Sequence, residues 1–366
     1  MKFTIKREQL LRPLQAVIGV VERKQTLPIL SNVLIDASGG KIGMVTTDLE
    51  VELAASIDAD IEVEGRLTVP ARKLFDICKA LSDGTVVEIT QEEERIVVKA
   101  GRSRFTLSIL PPDDFPIVDE LKSPSTFKVS EGSFKRLIEK TSFAMAQQDV
   151  RYYLNGLMLE MVGDELRAVA SDGHRLALCE MRGEFGFTAG RQVIVPRKGI
   201  NELNRLLEGG DAWIEVAVDE NHIRINQHNF RFTSKLIDGK FPDYRRVMPS
   251  SAGHILQSER EVLRNALQRT AILSNEKYRG VRLDMNGTSL KIQAQNPELE
   301  EAEEELEVAY EGPSMEIGFN VNYLVDALTV IDDNEVQIRV TDQNSSCLIG
   351  GSQSEDCRYV VMPMHL

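Results

Sequence analysis

The fold is decided by the segment PILSNVLIDASGGKIGMVTTDLEVEL at residues 28–53, because the chain contains two further copies of it. The second copy is YYLNGLMLEMVGDELRAVASDGHRLA at residues 152–177, and the third is EKYRGVRLDMNGTSLKIQAQNPELEE at residues 276–301. The copies align without a gap. The alignment superimposes Gly39, Gly163 and Gly287, then Asp36, Glu160 and Asp284, then Asp48, Asp172 and Asn296.

A chain of 366 residues with three copies of one segment predicts three similar domains, at residues 1–124, 125–250 and 251–366. Within each third, a strand and an amphipathic helix are followed by alternating strands, and this pattern then recurs. Each third therefore reads as two β-α-β-β-β halves. The predicted fold is α+β, with six main helices and many antiparallel strands. Repeats joined head to tail form either an open array or a closed ring, and periodicity leaves both open.

The composition favours a reduced, non-membrane environment. Lys and Arg total 43 against 57 Asp and Glu, which gives a formal net charge of −14 and argues against a generally basic nucleic-acid binder. Cys78, Cys179, Cys347 and Cys357 lack metal-ligand spacing and predict reduced, mostly buried thiols. The N-terminus has no signal-peptide pattern, and no apolar run reaches membrane-spanning length. We expect a cytoplasmic protein without a membrane anchor.

The best candidate for chemistry is Asp172-Gly173-His174-Arg175, which places an acid beside a histidine. The aligned copies read Asp48-Leu49-Glu50 and Asn296-Pro297-Glu298, so a turn with a structural or binding role is favoured over a catalytic pair. No phosphate-binding loop, hydrolase elbow or zinc motif is present, and the five histidines lack metal-ligand spacing. We therefore expect no catalytic residue, no metal and no cofactor.

Charge patterning leaves alternatives open. The acidic run Glu298–Glu307 is read as a solvated or partner-facing strand rather than a cation site, and an ion-paired subunit interface is one form of this. Basic residues are scattered over the helices, either on solvated faces or, if all helices face one side, as a lining for nucleic-acid phosphates. These are Arg7, Arg12, Lys73, Lys79, Lys135, Arg136, Lys140, Arg205, Arg264 and Arg269.

Several blocks in order resemble the bacterial DNA polymerase III beta subunit, the replicative sliding clamp. They include TLPILSNVL, VPARKLFDIC, GRSRFTLS, QQDVRYYLNG, SDGHRLA, FPDYRRV and the terminal YVVMPM, and the resemblance covers the whole chain. It implies a head-to-tail homodimeric ring of six domains, with helices lining a hole through which duplex DNA passes without sequence specificity. It also implies a processivity factor that does no chemistry and tethers its partners to DNA. The implied partners are the replicative polymerase alpha subunit, the clamp loader delta subunit, translesion polymerases, a mismatch-repair protein and ligase.

The resemblance places a hydrophobic pocket for partner peptides between the second and third domains, bound by a peptide with Leu and Phe near its end. Its deep part comprises Leu154, Ser171, Gly173, His174, Arg175, Leu176, Pro242, Arg246, Val247, Val360 and Met362. Its shallower part comprises Arg151, Tyr153, Asn320, Tyr323, Ser346, Pro363 and Met364. His365 departs from the basic arginine of relatives of this type, so a charged contact at this rim position is not carried over.

The resemblance also implies two further surfaces. DNA contacts are expected from Lys24, Arg72, Gln148, Tyr152, Tyr153, Arg197 and Lys198. The dimer interface is expected to place Lys73, Phe105 and Leu107 of one chain against Ile272, Leu273, Glu298 and Glu300 of the other. Two alternatives are weighed against the clamp. One is a hydrolase using Asp172 and His174, and the other is a scaffold with the same repeat that does not bind DNA.

Overall fold

The structure is a computed structural model that describes residues 1–22, 27–249 and 253–365. Within these residues it contains six α-helices. They are α1 (Arg7–Val17), α2 (Ala71–Ala80), α3 (Glu131–Thr141), α4 (Arg197–Leu206), α5 (Arg260–Thr270) and α6 (Val321–Val330). None of the helices in this part of the chain is both long enough and apolar enough to cross a bilayer.

The strands outnumber the helices and surround them in sequence. In the first third they are β1 (Lys2–Lys6), β2 (Asn32–Ser38), β3 (Lys41–Thr47), β4 (Val51–Asp58), β5 (Asp60–Val63), β6 (Gly65–Pro70), β7 (Val86–Glu92), β8 (Arg95–Ala100) and β9 (Ser103–Ser108). In the second they are β10 (Ser125–Ser130), β11 (Gly156–Ser171), β12 (Arg175–Pro196), β13 (Trp213–Val218), β14 (His222–Gln227) and β15 (Phe230–Lys235). In the last they are β16 (His254–Glu259), β17 (Gly280–Asn286), β18 (Ser289–Gln295), β19 (Glu301–Glu307), β20 (Ala309–Tyr310), β21 (Met315–Asn320), β22 (Glu335–Val340), β23 (Cys347–Gly351) and β24 (Cys357–Val361).

The element order confirms the six predicted halves. The pattern β-α-β-β-β appears as β1-α1-β2-β3-β4, again as β6-α2-β7-β8-β9, and at the corresponding places in the other thirds. In the middle third the long β11 occupies two strand positions of the repeat, and the long β12 serves both as the last strand of one half and as the first strand of the next. Each helix is amphipathic as predicted; α1, for example, buries Leu10, Leu14 and Val17 on one face.

The chain forms two compact units. The first comprises residues 1–132 and 201–236, and the second comprises residues 133–200 and 237–366. The first unit holds a five-stranded sheet, β5-β1-β7-β8-β9, and an eight-stranded sheet, β10-β13-β14-β15-β4-β3-β2-β6. Phe232 of β15 lies opposite Leu53 of β4, so the larger sheet joins strands from the first two predicted domains. The predicted boundaries near residues 124 and 250 stay a prediction.

The second unit holds the sheets that position the candidate site. One has seven strands in the order β11-β12-β24-β23-β22-β16-β20, and the other has four in the order β19-β18-β17-β21. Neighbouring strands in the seven-stranded sheet are antiparallel, and Leu176 of β12 lies opposite Val360 of β24. This pairing brings the C-terminal strand next to a strand of the second sequence repeat.

The aligned glycines occupy the same backbone conformation in all three repeats. Gly39, Gly163 and Gly287 have φ values of +55°, +58° and +59°. This left-handed region strains a residue with a side chain, so a glycine is favoured where the chain reverses. The sequence alignment of the three repeats therefore holds at the level of single backbone torsions.

The prediction of four reduced cysteines is wrong for two of them. Cys78 and Cys347 are free and buried, as expected. Cys179 and Cys357 form a disulfide, because β12 and β24 pair in a register that places them directly opposite each other. The spacing of 178 residues gave no sign of this contact, since only the strand register creates it.

Candidate functional site

The second unit contains an apolar cluster on one face of the seven-stranded sheet. Its buried members are Ala146, Leu154, Met158, Val169, Leu176, Leu178, Ile194, Phe241, Tyr244 and Val360. Tyr153, Ile237, Val247, Met248 and Leu348 are partly buried and pack against it. Alternation along β12 places Leu176 and Leu178 on the same face, and Leu348 and Val360 lie opposite each other on β23 and β24. We call this set the apolar cluster.

The structure brings together the apolar residues predicted for the deep part of the pocket. Leu154, Leu176 and Val360 are buried members of the apolar cluster, and Val247 packs against them. Sequence reasoning missed Met158, Ile194, Phe241 and other buried members of the cluster. Two of the missed residues, Phe241 and Tyr244, lie in the quoted block FPDYRRV, which was the available signal.

A tight turn joins β11 to β12 beside the apolar cluster. Asp172 Oδ1 accepts hydrogen bonds from the backbone N–H groups of His174 (2.9 Å) and Arg175 (3.0 Å). Ser171 Oγ donates to the Arg175 carbonyl at 2.7 Å and accepts from the Gly173 N–H at 3.1 Å. Gly173 has φ +87°, which a residue with a side chain rarely adopts. The five residues from Ser171 to Arg175 therefore hold one another in a fixed turn.

The aligned side chains in the other repeats also accept backbone hydrogen bonds, Asp48 in the same pattern as Asp172 and Asn296 from a residue further along the chain. Asp48 Oδ1 accepts from the N–H groups of Glu50 (2.9 Å) and Val51 (2.7 Å). Asn296 Oδ1 accepts from the Glu300 N–H at 2.9 Å. Because the turn role recurs where no histidine follows, the carboxylate of Asp172 is explained by backbone hydrogen bonding. This argues for the structural interpretation of Asp172 and against a catalytic acid–histidine pair.

Arg175 fixes the wall of the site by ion pairs and ring contacts. Its Nε lies 3.1 Å from Asp172 Oδ2 and its Nη1 lies 2.5 Å from Asp326 Oδ2. The guanidinium also stands 4.6 Å from the ring centroid of Tyr323 and 5.3 Å from that of Phe143. The planar group is held on several sides, so its position is set before any ligand arrives.

Arg151 is oriented in a similar way at the rim. Its guanidinium donates to both carboxylate oxygens of Asp149, at 3.0 and 2.8 Å, and to the Asp172 carbonyl at 3.2 Å. The hydrogen bonds from the Arg151 side chain and N–H lower the pKa of Asp149 to about 2. Arg151 is thereby placed against the same turn that carries His174.

The shallower predicted residues are partly connected to this turn. The rings of His174 and Tyr323 stack with centroids 6.4 Å apart, and the Met362 N–H donates to the His174 carbonyl at 2.9 Å. Asn320 caps α6 through the Asn322 N–H at 2.9 Å. The Met364 N–H bonds to the Gly318 carbonyl at 2.9 Å, which pins the C-terminal tail to β21.

The remaining predicted pocket residues lie nearer the surface. Pro242 and Arg246 are exposed on either side of Tyr244, whereas Pro363 and Ser346 are half-buried. Arg246 Nε lies 3.4 Å from Asp243 Oδ2. These residues are outside the buried part of the apolar cluster.

A buried carboxylate, that of Glu160, is hydrogen-bonded to the cluster member Tyr244. Glu160 is 3% exposed, and it accepts hydrogen bonds from Tyr244 Oη (2.7 Å), Gln192 Nε2 (2.7 Å) and Arg167 Nη1 (3.0 Å). Burial by itself would raise the pKa of this carboxyl, but the three hydrogen bonds outweigh burial and lower the pKa below 4.5. Burial and the neighbouring carboxylate raise the pKa of Tyr244. The Tyr244 ring thus packs in the apolar cluster while its hydroxyl hydrogen-bonds the buried Glu160 carboxylate.

Five of the predicted DNA contacts, Gln148, Tyr152, Tyr153, Arg197 and Lys198, lie in the second unit. The Asn155 side chain accepts a hydrogen bond from the Asp149 N–H and donates one to the Asp149 carbonyl, both at 2.9 Å. The Asn155 carbonyl accepts a hydrogen bond from the Arg197 N–H at 2.9 Å. Asn155 therefore joins the loop that holds Gln148 to the start of α4. The predicted contacts Tyr152 and Tyr153 meet edge to face, with centroids 5.8 Å apart. Lys198 adjoins Arg197 in α4, Arg72 is exposed on α2 in the first unit, and Lys24 lies outside the described residues.

Most of the basic helix residues are ion-paired within the chain, and Lys140 is buried, which leaves both interpretations of these residues open. Arg136 contacts Asp356 and Asp332, Lys140 contacts Asp332, and Arg269 contacts Glu304. Arg12, Lys135, Arg205 and Arg264 likewise have an acidic partner.

Two of the residues predicted for the dimer interface lie on an edge strand, and the others lie on α2, in the turn after α5 and in the segment before β19. Phe105 and Leu107 belong to β9, the last strand of the five-stranded sheet, and Lys73 is exposed on α2. Ile272 is 75% exposed, and Leu273 follows it. Glu298 and Glu300 flank Leu299, which is 76% exposed and was missed from the sequence. The acidic run continues as β19, the edge strand of the four-stranded sheet.

The acidic strand is hydrogen-bonded within the chain. Glu304 receives two hydrogen bonds from Arg269, at 2.7 and 2.9 Å, and Glu303 lies 3.3 Å from Lys291 Nζ. Within the described ranges, the one grouping of potential metal ligands is Cys179, Asp356 and Cys357. Because the two sulfur atoms of that grouping are bonded to each other, they do not present two thiolates to a metal.

Comparison with known proteins agrees with this geometry over the whole chain. Family models described as the N-terminal, central and C-terminal domains of the DNA polymerase III beta subunit match residues 1–119, 128–243 and 245–365. Curated proteins named beta sliding clamp from Pseudomonas aeruginosa and Escherichia coli K12 are 54% and 50% identical, each with full coverage of both chains.

Solved structures show the same likeness in three dimensions. The DNA polymerase III subunit beta of Pseudomonas aeruginosa has a TM-score of 0.98 at 54% identity, covering all of both chains. The pol III beta of Caulobacter crescentus has a TM-score of 0.94 at 40% identity, again with full coverage. A Bartonella birtlesii sliding clamp with a TM-score of 0.97 and 37% identity over all of both chains was solved bound to griselimycin.

The matched proteins belong to one class: they are accessory subunits of a DNA polymerase with the three-domain clamp fold, and they are not its catalytic subunits. The chain belongs to the DNA polymerase III beta subunit family, the beta sliding clamps. The resemblance found from the sequence blocks is thereby confirmed.

Proposed function

We propose that this chain forms a homodimeric ring around duplex DNA and tethers replication and repair proteins through the apolar cluster. The observation that carries the proposal is the full-length match to beta sliding clamps, combined with a preorganised apolar site at the C-terminal strand. Tethering needs no chemistry. A polymerase held near the primer end rebinds at high effective concentration instead of diffusing away.

The apolar cluster and its polar rim suit a short peptide. Leu154, Leu176 and Val360 provide an apolar floor, while Arg175 and Tyr323 are held rigidly at its edge. Leucine and phenylalanine side chains of a partner would bury apolar surface here, and the rim would fix their direction. The Leu-Phe motif is the feature shared by the proposed partners: the polymerase alpha subunit, the clamp loader delta subunit, translesion polymerases, a mismatch-repair protein and ligase.

Two edge strands support the head-to-tail dimer. β9 ends one sheet of the first unit, and β19 ends one sheet of the second. An edge strand offers unpaired backbone groups that another chain can complete. Ile272 and Leu299 are large apolar side chains that are exposed beside β19. We propose that Phe105 and Leu107 of a second copy bury them in the dimer interface.

DNA would be held without sequence preference. Arg197 and Lys198 at the start of α4 and Gln148 in the neighbouring loop offer polar and cationic groups to phosphates, and the exposed Tyr152 offers a ring to a sugar or base. The net charge of −14 would disfavour DNA on the remaining surface. Such contacts suit sliding, because no register along the duplex is preferred. We place the ring in the cytoplasm, where bacterial replication occurs.

The pocket is tested by fluorescence anisotropy with a labelled peptide that has Leu and Phe near its C-terminus. Tyr323→Ala removes the ring that stacks with His174 and Arg175, and we expect about tenfold weaker peptide binding. The matched control is Tyr278→Ala, which removes a ring that is 54% exposed in the same unit and contacts Lys277. The control should bind the peptide like the unsubstituted protein. Equal affinities of all three proteins would contradict this site.

A further inference from the structure

The disulfide between Cys179 and Cys357 joins the two strands that carry the apolar cluster. The cysteines are directly opposite in the β12–β24 ladder, with Cα atoms 4.1 Å apart. The next pair along is hydrogen-bonded, since the Glu180 N–H donates to the Asp356 carbonyl at 2.8 Å. The cysteines therefore occupy a non-hydrogen-bonded pair, where opposing side chains are closest. The backbone register alone brings the two sulfur atoms together.

The surroundings of the pair allow thiol chemistry. Cys357 is 8% exposed and lines a cavity of about 1050 Å³ in the second unit, and this cavity is the side from which a thiol reagent would reach the pair. Cys179 is fully buried behind it, and Arg136 Nη1 lies 3.7 Å from its sulfur. A guanidinium beside a thiol favours the thiolate, which is the attacking species. Asp356 binds the same guanidinium at 2.5 Å and keeps it in place.

The link lies close to the wall of the proposed peptide site. Leu176 and Val360, both members of the apolar cluster, are opposite each other three residues along the same ladder. Beyond Val361 the chain continues to Met362, whose N–H bonds to the His174 carbonyl. The covalent link therefore limits how far β24 and its tail can separate from β12. It restrains both strands that supply the floor of the site.

We propose that Cys179 and Cys357 are a reversible thiol–disulfide exchange site that sets the affinity of the adjacent peptide site. The coupling to peptide binding rests on the proposed function. The oxidant is a low-molecular-weight disulfide of the glutathione class. The Cys357 thiolate attacks one sulfur of that disulfide and releases one thiol. The Cys179 thiolate then attacks the Cys357 sulfur and releases the second, so the two protein thiols lose two protons and two electrons to the reagent.

Formation of the Cys179–Cys357 disulfide preorganises the peptide site, and its reduction allows β12 and β24 to move more freely. In the oxidised protein Leu176 and Val360 are held in register before the peptide arrives, so less ordering is required on binding. We expect the oxidised form to bind the Leu-Phe peptide about threefold more tightly than the reduced form. Cys179→Ser and Cys357→Ser should each bind like the reduced protein under both conditions.

The test equilibrates the full-length protein in glutathione buffers of graded composition. Intact mass and alkylation of free thiols measure how much of the pair is oxidised, and peptide anisotropy is read on the same samples. Cys78→Ser is the matched control, because Cys78 is also buried but is free and lies in the other unit. It should leave both the oxidation curve and the redox-dependent change in affinity intact. Two cysteine variants at the site guard against one of them failing to fold.

The outcomes separate the inference from the function on which it rests. Oxidation of one thiol pair, lost in both site variants and kept in Cys78→Ser, together with tighter peptide binding, supports the inference. Four free thiols at every buffer composition overturn the exchange site. Oxidation with unchanged affinity overturns the coupling while leaving the peptide site standing. Absence of peptide binding in both redox states, despite oxidation, overturns the proposed peptide site itself.

Discussion

Replacing Tyr244 by phenylalanine removes one oxygen atom from the base of the apolar cluster and leaves the ring in place. The lost contact is the 2.7 Å hydrogen bond from the hydroxyl to the buried Glu160 carboxylate. Hydrogen bonds to charged groups contribute about 1.5–3 kcal/mol. Gln192 and Arg167 still satisfy the carboxylate, so we expect a loss of about 2 kcal/mol in the free energy of unfolding.

Tyr310→Phe provides a matched control for this change. Tyr310 is buried to the same degree as Tyr244, at 4% against 5% exposure, and lies in the same unit. Its hydroxyl donates at 2.8 Å to a neutral acceptor, the Pro313 carbonyl. We expect a smaller loss of about 1 kcal/mol, because a neutral acceptor gives a weaker hydrogen bond.

The two variants should also differ in their dependence on pH. The pKa of Glu160 is lower in the folded protein than its ordinary 4.5, so its contribution to stability is present above that value. The contribution is lost as the pH falls through the folded pKa. The effect of Tyr244→Phe should therefore shrink in acid, whereas that of Tyr310→Phe, whose acceptor does not titrate, should stay constant.

The assay is urea unfolding followed by circular dichroism at several pH values. The single tryptophan, Trp213, lies in the other unit and would not report directly on this site. Equal losses for the two variants, or a Tyr244→Phe effect that does not diminish in acid, would refute the assignment of Glu160 as a buried, ionised acceptor.

Two further predictions address the turn and the interface. Asp172→Ala should weaken binding of the Leu-Phe peptide and lower stability by about 1–2 kcal/mol, because two backbone N–H groups lose their acceptor. Asp172→Asn keeps the Oδ1 acceptor of the turn but loses the ion pair with Arg175, so its defect should be smaller than that of Asp172→Ala; equal defects in both variants, measured by anisotropy, would count against the turn role. Ile272→Ala combined with Leu273→Ala should weaken the dimer by several kcal/mol, at about 2–5 for each aliphatic side chain buried in the interface. Light scattering that still finds a dimer at nanomolar concentration, or an equal effect from the control Val262→Ala, which is exposed on α5, would contradict the interface.

The repeated architecture could be predicted because it depends on short-range sequence patterns, such as glycines at turns and the spacing of apolar residues in helices. Positive-φ glycines at Gly39, Gly163 and Gly287 and one buried face per helix both leave periodic signals in the sequence. The turn role of Asp172 also followed from comparing the three copies. Such features depend on residues that are close together in the chain.

The rest of the site depends on contacts that no local pattern encodes. Tyr244 reaches Glu160 across 84 residues, and Arg175 reaches Asp326 across 151. The Cys179–Cys357 pair was predicted to be two free thiols, because its proximity exists only once β12 and β24 pair in one particular register. The resemblance supplied Leu154, Leu176 and Val360, but it did not supply the cluster members Met158, Ile194 and Phe241.

The central claim is that the protein holds DNA by encircling it, and retention on circular DNA tests this most directly. The protein is loaded by a clamp loader onto nicked circular DNA, washed at high salt, and washed again after the circle is cut. The account predicts retention through the first wash, because salt screens phosphate contacts but does not open a ring, and loss after cutting. Loss in the first wash, or equal retention on cut and uncut DNA, would contradict encirclement.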